Sequence, residues 1–184
     1  MKRQASLFFV LVTGFSSPAW ALILKHMELE DLAVEAHCVV FGTVVKMESR
    51  FDPHTNNKRI VTDVSIEVQR VIAGDAEKIV VVTVPGGEVD GKGQLVPGAP
   101  RFMVGEEVLL FLSRRPDSIE RYSLVGFTQG VFKVVRDRTR VKLRQSLGSV
   151  VFQNGTLGEA LEMEFFLEEL EEKVRKVRAE VLKR

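Results

Sequence analysis

Ile60-Val61-Thr62-Asp63-Val64-Ser65-Ile66-Glu67-Val68-Gln69 is the stretch that decides the fold. Ile60, Val64, Ile66 and Val68 alternate with Asp63, Ser65, Glu67 and Gln69. Successive side chains of a strand point to opposite faces, so one face here lies on a core and the other meets water, the habit of antiparallel sheets. Upstream, Cys38-Val39-Val40-Phe41 with Thr43, Val44 and Val45 predicts a second strand, running toward Glu48, because β-branched and aromatic residues suit a pleated surface. Asp52-Pro53-His54-Thr55-Asn56-Asn57 joins the two as a reversing turn. Downstream, Ala73-Gly74-Asp75 ends the alternation. Ile79 to Val84 is then a continuous apolar run, short enough for a buried strand, stopped by Pro85-Gly86-Gly87.

From Pro85 to Gly105 the chain is rich in glycine and proline, including Gly91-Lys92-Gly93 and Pro97-Gly98-Ala99-Pro100. The stretch reads as one long loop, and structureless loops beyond about 12 to 15 residues are uncommon unless they are functional or mobile. Strands are expected again at Glu107 to Leu112 and at Tyr122 to Phe127, turning at Arg114-Arg115-Pro116-Asp117. Gly130 to Val135 and Thr139 to Leu143 form an expected hairpin around Asp137-Arg138. Before the first strand, Leu29, Leu32, Ala33 and Ala36 fall on one face of a short helix over Met27 to Ala36.

The C-terminus is helical in pattern. Thr156-Leu157-Gly158-Glu159 has the capping-box form. Met163, Leu167, Leu170, Val174, Val177 and Val181 follow at steps of four and three, making one apolar stripe. Acids crowd the first half and bases the second, which suits the helix dipole. Glu169 and Lys173, Glu171 and Arg175, and Glu172 and Lys176 are opposite charges four apart, each worth about 0.2–0.5 kcal/mol. The stripe is expected to pack on the chain's own sheet, a partner helix or second copy being the alternative.

At the N-terminus, Lys2 and Arg3 precede an apolar run from Ala5 to Phe15 and then Ala19-Trp20-Ala21, the form of a secretory signal peptide cut after Ala21. The run is shorter than the roughly 20 apolar residues a membrane-spanning helix needs. The expected mature chain, Leu22 to Arg184, is therefore secreted or periplasmic, with no transmembrane segment. The 184-residue chain carries a formal charge of +1, which becomes −1 once Lys2 and Arg3 are removed. A near-neutral chain lacks the basic excess of a nucleic-acid binder. Cys38 is the one cysteine, so no intramolecular disulfide forms and a lipoprotein anchor has no cysteine near the cut.

No residue set names a reaction, and neither a catalytic constellation nor a cofactor is expected. His37 and Cys38 are neighbours along a strand and point apart, so Cys38 reads as a buried thiol rather than a nucleophile. His26 and His54 have no helical ligand spacing, and metal binding has no support. Gly91-Lys92-Gly93 lacks the Ser or Thr and the following helix of a phosphate loop. The loop residues Gly86, Gly87, Glu88, Asp90, Lys92, Gln94 and Arg101 are the candidate partner-binding set.

Ala36-His37-Cys38-Val39-Val40-Phe41-Gly42-Thr43-Val44-Val45, then Lys58-Arg59-Ile60 through Val71, Gly74-Asp75 and the Glu107 to Leu112 strand after Gly105 resemble the netrin-like domain of tissue inhibitors of metalloproteinases. The resemblance spans about Met27 to Val135. It implies a mainly β fold: an OB-like, five- to six-stranded antiparallel barrel with flanking helices. Residues 22–150 would form the barrel with its short N-terminal helix, and residues 151–184 the C-terminal amphipathic helix packed on it. The chain is also similar to exported bacterial proteins with the same strand and Pro-Gly-Gly pattern. Those inhibitors begin with a cysteine whose amino group and carbonyl chelate the protease zinc. Here cleavage leaves Leu22-Ile23-Leu24-Lys25, so the inhibitory residues do not carry over. The expectation is an exported, non-enzymatic module that binds a protein partner, an extracellular protease or another envelope protein. The alternatives are a small hydrolase or thiol enzyme using Cys38, and a structural subunit assembling through the C-terminal helix.

Overall fold

The computed structural model describes residues 22–115, 118–136, 140–148, 150–181 and 183. The leader, with its cleavage residues Ala19 and Ala21, lies outside the described residues, as do Pro116, Asp117, Asp137, Arg138 and Thr139. A three-residue strand β1 (Leu22–Leu24) leads into helix α1 (Leu29–Glu35). The helix buries Leu29, Leu32 and Ala33, and a capping box between Glu28 and Asp31 closes its start. Next come β2 (Cys38–Phe51) and β3 (Ile60–Ala73), a long antiparallel hairpin paired from Val39↔Ala73 to Phe51↔Ile60. At its tip the Asp52 carboxylate accepts from the His54 N–H at 3.1 Å, and Asn56 and Asn57 take φ of 51° and 58°. Asparagine tolerates that left-handed backbone better than most residues.

Strand β4 (Ile79–Pro85) pairs with β3 and is followed by a small hairpin of β5 (Gly87–Val89) and β6 (Lys92–Gln94). The Pro85 to Gly105 stretch is thus not one structureless loop. Strand β7 (Glu107–Arg115) returns to pair with β2, and β8 (Ser118–Leu124) pairs antiparallel with β7. β8 also pairs in parallel with β4, at Val81↔Arg121 and Val82↔Tyr122. Five strands therefore close a ring in the order β2-β3-β4-β8-β7.

From β7 the sheet continues outward through β9 (Val131–Arg136) and β10 (Val141–Arg144). β11 (Val150–Phe152) pairs in parallel with β1, while β12 (Glu164–Phe166) forms the outer edge on β10. The chain ends in helix α2 (Leu167–Val181). This helix starts at Leu167, so Thr156 and Glu159 do not cap it. Gly158–Leu161 is a short 3-10 turn instead. Met163 belongs to the approach to β12, held by Gln145, whose N–H donates to the Met163 carbonyl and whose Oε1 accepts from the Met163 N–H, both at 3.0 Å. Phe127 likewise sits in a 3-10 turn beyond β8.

Two apolar cores lie on opposite sides of the sheet. Inside the ring pack Cys38, Val40, Val44, Val64, Ile66, Val80, Val82, Val108, Leu110, Leu112 and Tyr122. Outside it, Val39, Phe41, Leu109, Phe111 and Phe132 meet Leu29, Leu32 and Ala33 of α1 and Leu167, Leu170 and Val174 of α2. β2 from Cys38 to Val44 and most of β7 are buried on both faces, and both-face burial produces continuous apolar runs rather than alternation. Most of the apolar stripe of α2 is thereby covered within the chain. Among the described residues no helix is long and apolar enough to cross a membrane.

Candidate partner-binding surface

The β4–β7 connection is the longest link between ring strands, and its first half is stitched to the ring. The Gly86 N–H donates to the Ile60 carbonyl at 2.8 Å, and the Gly86 carbonyl accepts from the Thr62 hydroxyl at 2.7 Å. Gln94 Oε1 accepts from the Ile60 N–H at 2.6 Å. Gly87 has φ +134°, and a Cβ on it would collide with Ser49 Oγ and Thr62 Oγ1. Those two hydroxyls are 2.9 Å apart, so glycine is what lets β5 lie against β2 and β3. Asp90 and Gly91, both at positive φ, turn the hairpin. An Asp-Gly pair between Val89 and Lys92 is a strong two-residue hairpin signal, and it was readable in the sequence.

The second half is pinned at its far end. The Lys133 ammonium donates to the Arg101 carbonyl at 2.7 Å and pairs with Glu106 at 2.8 Å. The Gly105 N–H donates to the Val44 carbonyl at 2.7 Å, and the Val44 N–H to the Glu106 carbonyl at 2.9 Å. Phe102 is buried among the ring's side chains. Between these anchors Leu95, Met103 and Val104 are 74 %, 67 % and 65 % exposed. Val45 and Met47 on β2 are also exposed, and Met47 and Leu95 line the same cleft. That cleft, about 320 Å³, lies over Thr62, Val84 and Phe102. A second, about 470 Å³, lies on the other side of Leu95–Arg101, against Thr128, Val131, Lys133, Ser146 and Val150.

Of the residues proposed from the sequence, Gly86, Gly87 and Gln94 form the stitched base of the hairpin. Glu88, Asp90 and Lys92 lie at or beside its tip, and Glu88 donates its N–H to Ser49 Oγ at 3.4 Å. Arg101 stands apart from them, between the two clefts. Leu95, Met103, Val104 and Met47 were not in that set. The available signal was four apolar side chains in or opposite a glycine- and proline-rich stretch.

Cys38 lies inside the ring with none of its surface exposed. Burial pushes its thiol up to about 11, against the pull of the Arg114 and Arg178 charges and with a small push from Asp75. The His37 Nε2 accepts from Arg114 Nε at 2.9 Å, and no bond joins it to the thiol. His26 stands edge-on to Phe152 with ring centres 5.0 Å apart, and His54 occupies the β2–β3 turn. Among the described residues no group of three or more histidine, cysteine or acidic side chains is placed to hold a metal ion. On the outer face, the Asp63 carboxylate accepts from Arg50 at 2.8 Å and 3.3 Å and from Thr83 at 2.6 Å, and Arg121 stands 3.3 Å away. No known family model matches the chain, and no curated protein matches it either.

Proposed function

We propose that the protein is an exported, non-enzymatic OB-type barrel that binds a protein partner through the β4–β7 connection, the partner being an extracellular protease or another envelope protein. Strand order supports the barrel type. Three consecutive strands β2, β3 and β4 are joined by a fourth, β7, that returns to lie beside the first, which is the Greek-key order. β8 then completes five strands, the number of an OB barrel. The netrin-like resemblance implies the same strand number with helices alongside, as α1 and α2 lie here. Its zinc-chelating mechanism does not transfer, because the one cysteine is enclosed by the ring.

The observation that carries the binding reading is a connection anchored at both ends that nevertheless leaves Leu95, Met103 and Val104 in water. Met47 and Leu95 line one cleft, and exposed apolar side chains brought together on a held surface are a mark of an interaction site. Pull-down from exported proteins would compare the wild-type chain with Leu95→Asp/Met103→Asp. Both positions are exposed, so an unchanged circular dichroism spectrum is expected, together with loss of a specifically retained protein whose binding to the purified chain is then measured directly. Equal recovery and equal affinity for wild type and variant would overturn the assignment.

A further inference from the structure

The larger cleft has a chemical character of its own, although Leu95 stands on its rim as well as on the proposed partner surface. Its volume of about 470 Å³ falls within the roughly 300–1,000 Å³ typical of small-ligand sites. Three separate segments build it: the Leu95–Arg101 run, Thr128, Val131 and Lys133, and the pair Ser146 and Val150. The first is clipped to the second by the Lys133–Arg101 hydrogen bond and folded by a turn in which the Ala99 N–H donates to the Val96 carbonyl at 3.2 Å. The walls are therefore held in place before a ligand arrives. They are mainly apolar, with Val131 and Val150 buried beneath and Leu95, Val96 and two prolines around the rim.

The charged lining is one-sided. Arg101 and Lys133 line the cleft and no acid does. The two cations differ in availability. Lys133 already meets Glu106 and the Arg101 carbonyl, which leaves one of its three N–H groups. The Arg101 side chain is exposed and its guanidinium has no ion-pair partner among the described residues. A single free guanidinium beside an apolar trough suits one planar monoanion, since its fork of N–H donors matches a carboxylate. We propose that this cleft binds an apolar chain ending in a carboxylate, with Arg101 on the anion and Val131 and Val150 under the chain. The carboxylate belongs to a free fatty acid or to the C-terminus of a short apolar peptide.

The test is titration of the isotope-labelled protein, followed by the backbone amide resonances. The probes are decanoate, decanol and decyltrimethylammonium, each below its micelle concentration, with acetyl-Leu-Val as free acid and as amide. Saturable shifts are expected at Arg101, Val131 and Val150 for decanoate, acetyl-Leu-Val acid, or both. Which acid binds more tightly identifies the source. The neutral and cationic probes are expected to bind weaker by up to about fivefold, the upper scale of one exposed charge pair. Arg101→Gln is expected to remove that difference while leaving decanol unchanged, and Ser146→Trp, at an exposed lining position, to block every probe. The proposal is overturned if neither acid gives saturable shifts at these residues. It is equally overturned if the neutral counterpart of the tighter-binding acid, decanol or acetyl-Leu-Val amide, binds as tightly as that acid, or if Arg101→Gln leaves the affinity of that acid intact.

Discussion

Cys38 shows at the residue scale how burial settles chemistry. Its sequence neighbours allow a reactive thiol, but its place inside the ring raises it to about 11, and a thiol kept protonated is a poor nucleophile. The sign of the pH effect follows. Below the ordinary thiol range, near 8.5, folded and unfolded chains are both protonated and the contribution is complete. As pH rises toward 11 the unfolded chain loses its proton first, so stability falls, by on the order of 3 kcal/mol across the window. Denaturant titrations of wild type and Cys38→Ala from pH 7 to 11 should show a steeper alkaline decline in wild type. A thiol reagent at pH 7.5 should label Cys38 only after unfolding; rapid labelling of the native protein would revive the thiol-enzyme reading. The buried-thiol reading was legible because Cys38 opens an apolar strand, Val39-Val40-Phe41, and its neighbour His37 points the other way. The exposure of Leu95 was not, since nothing local distinguishes an apolar loop residue that packs from one that does not.

Elements were legible where one period dominated. The alternation of β3 survives in its pattern of buried Ile60, Val64 and Ile66, and the apolar runs of β2 and β7 follow from their two covered faces. The Thr156–Glu159 capping box misled because tertiary pairing outweighed a local signal: Gln145 clamps Met163, and β12 takes the edge of β10 before the helix begins. Between elements, Asp63 acts as a rivet on the outer face, joining Arg50 of β2, Thr83 of β4 and Arg121 of β8 to β3. Burial pushes this carboxyl up, but the hydrogen bonds from Arg50 and Thr83 and the charges of Arg50 and Arg121 outweigh it and hold it below the ordinary carboxylate range. That stability is present above about pH 4 and is lost as pH falls further through the lowered value. Asp63→Asn should cost about 1–3 kcal/mol at neutral pH and flatten the acid limb of the stability profile. A parallel wild-type and variant profile would show that the cluster contributes nothing.

For the whole molecule, the C-terminal segment is part of the folding unit. α2 brings Leu167, Leu170 and Val174 into the outer core, and the buried Glu171 takes Arg70 of β3. Arg178 donates to the Ala36 carbonyl at 2.6 Å, closing the end of α1. At about 1.5–3 kcal/mol for each large buried apolar side chain, removing three approaches the 5–15 kcal/mol that holds a typical domain. A chain ended at Gly155 should therefore lose its cooperative thermal transition. If it stays folded and merely changes sedimentation from oligomer to monomer, the helix is an assembly device instead. Closure of the ring was expected only through the netrin-like resemblance and not from the strand patterns, because a contact between β4 and β8 confined to two residue pairs leaves no period in either strand.

That short contact gives the ring a seam. Everywhere else around the circumference the strands are joined by antiparallel ladders, the shortest of them four residue pairs and the β2–β3 ladder far longer, whereas β4 and β8 meet at Val81–Arg121 and Val82–Tyr122. Thermal opening, when it comes, has its easiest starting point there, and the Arg121–Asp63 pair lies across that line like a latch.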